Sequence, residues 1–307
     1  MIAENLSKTL GLSVVELISF AKTCPWRYKV YEIKKRNGGK RTIAQPSRQL
    51  KMLQRFVQKE FLWKLPVHKT AVAYRKKVGI GSNAGFHASN PFILKMDFSN
   101  FFPSIIPFDL LNHYEIKTQS KLHRDDEILL TGIFFCRNRT TGRKELSIGA
   151  PSSPFISNTI MHDFDVKISE YASSQGVLYT RYADDLTFSC SAKNQLQDIH
   201  RHVLETCKSV KYPRLTVNAK KTLYLSKRGR REITGLIVTN DGTVSLGRDK
   251  KRLIKSLVHR FIMGQLESDK VNFLKGYLSF ANDVEPSFIA SLEKKYGEIV
   301  LNKIRMS

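Results

Sequence analysis

Apolar positions recur along the chain at spacings that divide it into elements. Near the N-terminus Leu10, Val14, Leu17 and Phe20 fall on one face of an amphipathic helix. YKVYEIKKRNGGKRTIAQPS alternates as a hairpin does, with its turn at Asn37-Gly38-Gly39 and a stop at Pro46. Over 49–65, Leu50, Leu53, Val57 and Phe61 return to helical spacing. Residues 91–97 (PFILKMD) form a short apolar strand that ends on an aspartate, and mixed helix and loop follow to about residue 146. SIGAPSSPFISN is a Gly-Pro turn that opens a helix, with Ser153 as N-cap and Pro154 at the first helical position. That helix carries Ile156, Ile160, Phe164 and Ile168 at four-residue steps. Tyr179 to Ser189, YTRYADDLTFS, reads as strand, turn, strand. A helix over 194–208 and strands over 215–226 and 232–238 come next. From Arg248 the chain is helical to its end, with Leu253, Leu257 and Phe261 on one face and Arg248, Arg252 and Lys255 on another.

Charge narrows the partners. The 307 residues hold 51 Lys and Arg against 27 Asp and Glu, a net charge of +24. Such an excess repels itself unless a polyanion neutralises it, which points to nucleic acid ahead of a membrane surface. No apolar run approaches the ~20 residues needed to span a bilayer. The N-terminus lacks a basic leader and is interrupted by Glu16, so it is no secretion signal. Cys24, Cys136, Cys190 and Cys207 are scattered without a CxxC pair, which suits buried thiols in a reducing cytoplasm better than disulfides or zinc. With 41% hydrophobic residues the chain folds, into two or three interleaved lobes. Basic residues concentrate over 22–64, thirteen Lys or Arg against Glu32 and Glu60 alone.

Two adjacent aspartates, Asp184 and Asp185, interrupt an otherwise strand-forming run. Half-buried, they are costly unless something neutralises them. A third, Asp97, ends the 91–97 strand. If that strand and 177–182 are neighbours, three carboxylates meet at one sheet edge. Mg²⁺, a hard ion with oxygen ligands, is the fitting cation. Two such ions about 3.5–4 Å apart can activate a 3′-hydroxyl and stabilise a leaving pyrophosphate. A lone Asp-Asp pair is more often a solvated turn, and Asp125-Asp126 is read that way. Lys227, Arg228, Arg230 and Arg231 (KRGRR), with Arg248, Arg252 and Lys255, are placed to track phosphates. Pro151-Ser152-Ser153-Pro154 matches PxxP, but the preceding glycine and the following helix demand a turn there.

Together these stretches resemble reverse transcriptases. Tyr182-Ala183-Asp184-Asp185 resembles the family's YxDD motif, LKMDFSNFFPSI its first aspartate motif, LSIGAPSSPFISN its template- and nucleotide-contacting turn, and VNAKKTLYLS its later Asn-x-x-Lys-Thr motif. The resemblance spans roughly residues 27 to 300 in the family's order. Within the family the chain resembles bacterial retron enzymes. Asn83-Ala84-Gly85-Phe86-His87 matches NAxxH, and Ile233-Thr234-Gly235 matches VTG with Ile for Val.

The resemblance implies an α/β (α+β) fold, a right-hand polymerase with an antiparallel palm sheet, interrupted fingers and a short helical thumb. It divides the chain into N-terminal helix and fingers (1–90), palm (91–240, with a finger insertion at about 105–147) and thumb (241–307), leaving no room for a ribonuclease H or endonuclease domain. It implies that Asp97, Asp184, Asp185 and the Phe98 carbonyl hold two Mg²⁺ ions. Lys221 becomes the general acid, with Lys220 as the alternative. Lys40 and Arg41 hold the incoming triphosphate, Gly149 lets backbone approach the nucleotide, and Phe102 is the steric gate against a ribose 2′-hydroxyl. Asn83, His87, Thr234 and Gly235 join the RNA-contacting set. Ile148 stands where family members often carry Gln, which removes one polar contact. The implied activity is RNA-templated DNA synthesis from dNTPs. The template is a cognate structured noncoding RNA, primed from a guanosine 2′-hydroxyl to give branched RNA–DNA, in antiphage defence beside an effector protein encoded nearby. Another bacterial reverse transcriptase, of intron or abortive-infection type, and a non-catalytic RNA-binding scaffold are the competing readings.

Overall fold

A computed structural model describes residues 1–34 and 38–307. Asn37, expected at the hairpin turn, lies outside the described residues. In chain order the elements are α1 (Ile2–Leu10), α2 (Val14–Thr23), β1 (Tyr28–Lys34), β2 (Lys40–Pro46), α3 (Arg48–Val57), α4 (Ile80–Phe86), β3 (Phe92–Asp97), α5 (Phe101–Ser104), α6 (Pro107–Thr118) and α7 (Arg124–Phe134). The short β4 (Cys136–Arg137) and β5 (Lys144–Glu145) precede α8 (Ser153–Ile160), α9 (His162–Ser174), β6 (Leu178–Tyr182), β7 (Asp185–Cys190), α10 (Gln195–Ser209) and β8 (Leu223–Ser226). Then come β9 (Arg231–Ile233), β10 (Leu236–Val238), β11 (Val244–Ser245), α11 (Arg248–Ile262), α12 (Ser268–Val284), α13 (Pro286–Tyr296) and α14 (Glu298–Met306).

The central sheet is antiparallel in the order β6-β7-β3-β8. β3 therefore neighbours β7, not the 177–182 strand, and the hairpin's second arm lies between them. Along β3, Leu94 and Met96 enter a large core with α8, α9 and α10, while Ile93 enters a second core with β9, β10 and α11–α14. Alternation along one strand thus welds the two cores across the sheet. β1 and β2 form the expected basic hairpin, paired from Tyr28↔Pro46 to Lys34↔Lys40.

Several expectations shift. The N-terminal helix is two helices, because Gly11 takes φ +66 and Ser13 caps α2 in a reciprocal box with Glu16. Leu10 is consequently exposed, and Ile2, Ala3 and Leu6 make the buried face. Asp126 is no solvated turn: it is buried, and its Oδ1 accepts from the Ala3 N–H at 2.7 Å, satisfying a donor at the start of α1. The 49–65 helix is α-helical to Val57, then continues as one π turn. The helix from 153 breaks at Met161 into α8 and α9, though Ile156, Ile160, Phe164 and Ile168 still share a core. Ser152, not Ser153, is its N-cap, and no side-chain cap bond forms. The 215–226 stretch is strand only from Leu223, and 232–238 folds back at Thr234-Gly235 into β9 and β10. On α11 the buried stripe is Ile254, Leu257 and Val258, and Leu253 faces solvent. Cys24, Cys136 and Cys190 are buried free thiols and Cys207 is half-buried. Among the described residues no helix is long and apolar enough to cross a membrane.

Candidate active site

β3 and β7 run antiparallel in a register that sets Asp97 directly opposite Asp185. Asp184 precedes Asp185 in the β6–β7 turn, where Ala183 adopts φ +58. Non-glycine residues rarely take that conformation, so the turn needs fastening. The Phe98 N–H donates to the Asp184 carbonyl at 3.1 Å, and Arg181 Nη1 donates to the Ala183 carbonyl at 3.0 Å. Phe98's side chain is buried against Phe101 and Phe164. On the ladder's other side, Asn218 N–H donates to the Asp97 carbonyl and Ser99 N–H to the Thr216 carbonyl, both at 2.8 Å. That pattern leaves the Phe98 carbonyl out of the ladder with Val217.

The three carboxylates sit in an uncomfortable field. Asp97 is 6% exposed, and Asp184 and Asp185 are half-buried. Burial, then the charge of Asp97, push the Asp184 carboxyl above its usual range against the pull of Lys221 and Arg41. Burial and the neighbouring Asp184 push Asp185 up to about 6. Among the described residues no three His, Cys, Asp or Glu side chains stand together as a ready metal cluster. The donor set nonetheless fits a hard cation: all-oxygen ligands, mutual repulsion, and a fork already holding positive charge. Lys221 Nζ lies 2.8 Å from both Asp97 oxygens. Burial alone would lower its pKa, but the Asp97 bond and the field of Asp184 and Asp185 hold it above the ordinary lysine value. A short helical turn, Ala219–Lys221, capped by Asn218, aims Lys221 rather than Lys220 at the carboxylates.

Beside this edge opens a cleft of about 330 Å³ lined by Phe102, Tyr74, Gly149, Ile148, Lys51 and Arg55. Gly149 has φ +124, and a Cβ there would sit 3.0 Å from Ile43 Cγ2 and 3.1 Å from the Ala44 carbonyl. Its close approach is thus to β2, which the Ala44 N–H to Ile148 carbonyl bond (2.9 Å) clamps to the turn. Arg41 shares a strand face with Ile43, which abuts Gly149, and its charge acts on Asp184. Lys40, on the other face, pairs with Glu32 at 2.6 Å. Tyr74, Lys51 and Arg55 were not among the expected residues. Lys51 and Arg55, four apart on α3, were a visible signal; Tyr74, at φ +63 and 6.4 Å from the Tyr182 ring, gave none.

Three expected RNA contacts are corrected. Asn83 and His87 are wholly buried. His87 bonds Ser189 at 2.7 Å and Thr180 at 2.8 Å through its two ring nitrogens, and Thr180 donates to Asn83 Oδ1 at 2.7 Å. They tie α4 to β6 and β7. Arg231 is 1% exposed and spends its guanidinium on the Asn90 and Thr239 carbonyls. The rest of the basic set is at the surface: Lys227, Arg228, Arg248, Arg252 and Lys255 are exposed, and Arg230 pairs with Glu232 at 2.9 Å. Thr234 and Gly235, both at positive φ, form the β9–β10 turn. Gly235 borders a cleft of about 700 Å³ with Arg230, Arg248 and Lys251.

The sequence profile of the family described as "Reverse transcriptase (RNA-dependent DNA polymerase)" matches residues 33–274, which include every carboxylate of this edge. The chain belongs to the reverse transcriptase family. It is 40% identical to the retron Ec83 reverse transcriptase of Escherichia coli over 91% of this chain and 89% of that one. To the retron Ec86 reverse transcriptase of the same organism it is 33% identical, over 98% and 92%. The reverse transcriptase is therefore of the bacterial retron type, an RNA-directed DNA polymerase on the right-hand fold. The solved structure of apo telomerase from Candida tropicalis overlays with a TM-score of 0.49 at 13% identity, over 87% of this chain and 58% of that one, so this chain spans less than two thirds of that protein's length.

Proposed function

We propose that this reverse transcriptase copies a cognate structured noncoding RNA from dNTPs, starting at a guanosine 2′-hydroxyl in that RNA and leaving a branched RNA–DNA. The register pair Asp97↔Asp185, with Asp184 at the adjoining turn, is the observation that carries the reading. In it, Asp97, Asp184, Asp185 and the Phe98 carbonyl hold two Mg²⁺ ions. When bound, these supply activation of the attacking hydroxyl and charge neutralisation on the pyrophosphate. Lys221, released from Asp97, turns toward the leaving group and donates a proton to it. Arg41 takes the triphosphate, with Lys40 farther out. Phe102 closes the cleft wall against a ribose 2′-hydroxyl, and Gly149 holds the floor by its contact with β2. Lys227, Arg228, Arg230, Arg248, Arg252 and Lys255, with the Thr234-Gly235 turn, follow the RNA backbone.

The lobes follow the same reading: fingers over 1–90, palm over 91–240 with its insertion at about 105–147, and thumb over 241–307. The setting is cytoplasmic, with antiphage defence through an effector protein encoded nearby. Purifying the protein from its host and sequencing the bound nucleic acid tests the reading. One dominant structured RNA joined to DNA through a 2′ linkage is expected. Bound RNA without any attached DNA would instead indicate a scaffold, and a mixed RNA population would indicate another class of reverse transcriptase. Phe102→Ala should admit ribonucleotides about tenfold more readily in primer extension, and unchanged sugar selectivity would remove the gate.

A further inference from the structure

Behind the carboxylate edge lies a side chain that the proposed chemistry does not use. Arg181 is fully buried, with no exposed surface. Its Nε and Nη2 clasp Asp165 of α9 at 2.8 and 2.6 Å, and Tyr179 also donates to Asp165 at 2.8 Å. The remaining nitrogen, Nη1, reaches two other places. It donates to Asn158 Oδ1 of α8 at 3.1 Å and to the Ala183 carbonyl at 3.0 Å. Ala183 is the left-handed residue that turns the chain into Asp184.

The backbone of Arg181 is as engaged as its side chain. Its N–H donates to the Thr70 carbonyl and its carbonyl accepts from Val72, at 2.8 and 2.9 Å. Asn158 Nδ2 donates to the Ala73 carbonyl at 3.0 Å, one residue before Tyr74 in the cleft wall. Asn158 itself stands on α8, whose first turn also lines that cleft. One guanidinium thus touches the aspartate turn, the helix that begins at the nucleotide cleft, and α9, while its own peptide fixes the segment that presents Tyr74.

We infer that Arg181, braced by Asp165 and Asn158, is a positioning residue that holds the Ala183 carbonyl and so sets where Asp184 presents its carboxylate relative to the cleft. The physical ground is the turn's conformation. A left-handed alanine carries backbone strain that surrounding contacts must over-determine, and Nη1 is the only side-chain donor on its carbonyl among the described residues. The Asp165 pair keeps that donor in one place, because a guanidinium held by two nitrogens has little freedom at the third. The inference rests on the proposed role of Asp184 as a metal ligand.

The test uses the full-length protein with its bound RNA. Arg181→Lys keeps one positive charge facing Asp165 but gives up the fork, so it cannot hold Asp165 and Ala183 together. Asn158→Ala loosens Nη1 and leaves the ion pair intact. Each variant is measured for melting temperature, RNA affinity, single-turnover DNA synthesis and Mn²⁺ binding by electron paramagnetic resonance. The expected pattern for Arg181→Lys is RNA affinity within twofold, synthesis down at least tenfold and Mn²⁺ binding weakened severalfold; Asn158→Ala follows with about a threefold loss of each. If Arg181→Lys fails to fold, Asn158→Ala decides alone. Folded variants with unchanged synthesis and unchanged Mn²⁺ affinity would overturn the inference, since a merely structural bond would lower the melting temperature and leave the ion alone. Asp184→Asn is run alongside. If it keeps Mn²⁺ binding and synthesis, the metal reading itself has failed; if it loses both while the Arg181 and Asn158 variants keep them, only the positioning role falls.

Discussion

Two aspartate–cation pairs flank the β6–β7 turn, Asp165–Arg181 inside it and Asp97–Lys221 at its edge. The inner pair has no exposed surface on either partner, and each polar group has a fixed protein partner. The outer pair is lopsided: the Asp97 side chain is 9% exposed but that of Lys221 is 58% exposed. Lys221 can swing away without leaving a buried cation behind, whereas Arg181 has nowhere to go. A closed pair specifies a conformation; an open pair leaves a carboxylate whose cation can be exchanged. Burial and the charge of Asp97 push up the Asp184 carboxyl, and burial and the charge of Asp184 push up that of Asp185; among the described residues neither has such a closed partner, which suits the proposed incoming ion.

The comparison breaks first at Asp184. Asp184→Asn removes the proposed metal ligand from the open side without disturbing the inner pair. DNA synthesis should fall about a thousandfold, with RNA affinity within twofold by filter binding. Simultaneous loss of RNA binding would mean that the turn is structural.

Next in size is the contrast between the cations themselves. Arg181→Met strands Asp165 in the interior and should cost about 3–5 kcal/mol of stability. Lys221→Met removes an exposed ammonium whose place water can take beside the buried Asp97, so it should cost clearly less than the Arg181 change, about 1–2 kcal/mol, while slowing synthesis at least tenfold. Denaturant melts of both variants measure the difference, and equal losses would erase the distinction between closed and open pairs.

How far the sequence showed this arrangement depends on what each residue's neighbours could reveal. The hairpin 28–46 and the aspartate at the end of β3 were legible, because strand alternation and turn chemistry are local. The neighbour of β3 was not: both arms of the 178–190 hairpin read as strands of the same period, which does not say which arm lies beside β3, and tertiary packing chooses β7. Asn83 and His87 matched a motif, but a motif gives identity and not depth. Arg231 was misplaced although a signal existed. It shares a strand face with the buried Ile233, so alternation sends it inward while Arg230 stays at the surface. On α11 the stripe Ile254, Leu257, Val258 competes with Leu253, Leu257, Phe261, and helical spacing alone does not decide between them. Nothing local marked Arg181, because its partners lie on α8 and α9 and in the 70–73 segment.

His87 extends the closed class and gives a pH test. Burial lowers its pKa from 6.5 to about 3, so the native imidazole stays neutral between Ser189 and Thr180. The unfolded chain takes up a proton near pH 6.5 and the native state does not until about pH 3. Stability from this group is therefore complete above the unfolded value and is lost as pH falls, at about 1.4 kcal/mol per pH unit. His113, lowered to about 4 chiefly by burial, adds a parallel loss. His87→Gln should make the acid slope of stability between about pH 6 and pH 4.5 shallower by one proton's worth, read from urea melts. An unchanged slope would mean that His87 is not sealed.

The smallest contrast separates adjacent residues on one strand. Lys40 and Arg41 look equivalent as fingertip cations, yet β2 sends them to opposite faces. Lys40 is neutralised across the hairpin by Glu32, and Arg41 stands on the face of Ile43, which abuts Gly149 beside the cleft. Arg41→Ala should raise the KM for dNTPs about tenfold with kcat nearly unchanged, the signature of lost uniform binding. Lys40→Ala should move neither by more than about twofold, because an exposed ion pair contributes little. If the two substitutions act alike, the triphosphate reaches past the hairpin's inner face, and the open side of the site is wider than the Asp97–Asp185 edge.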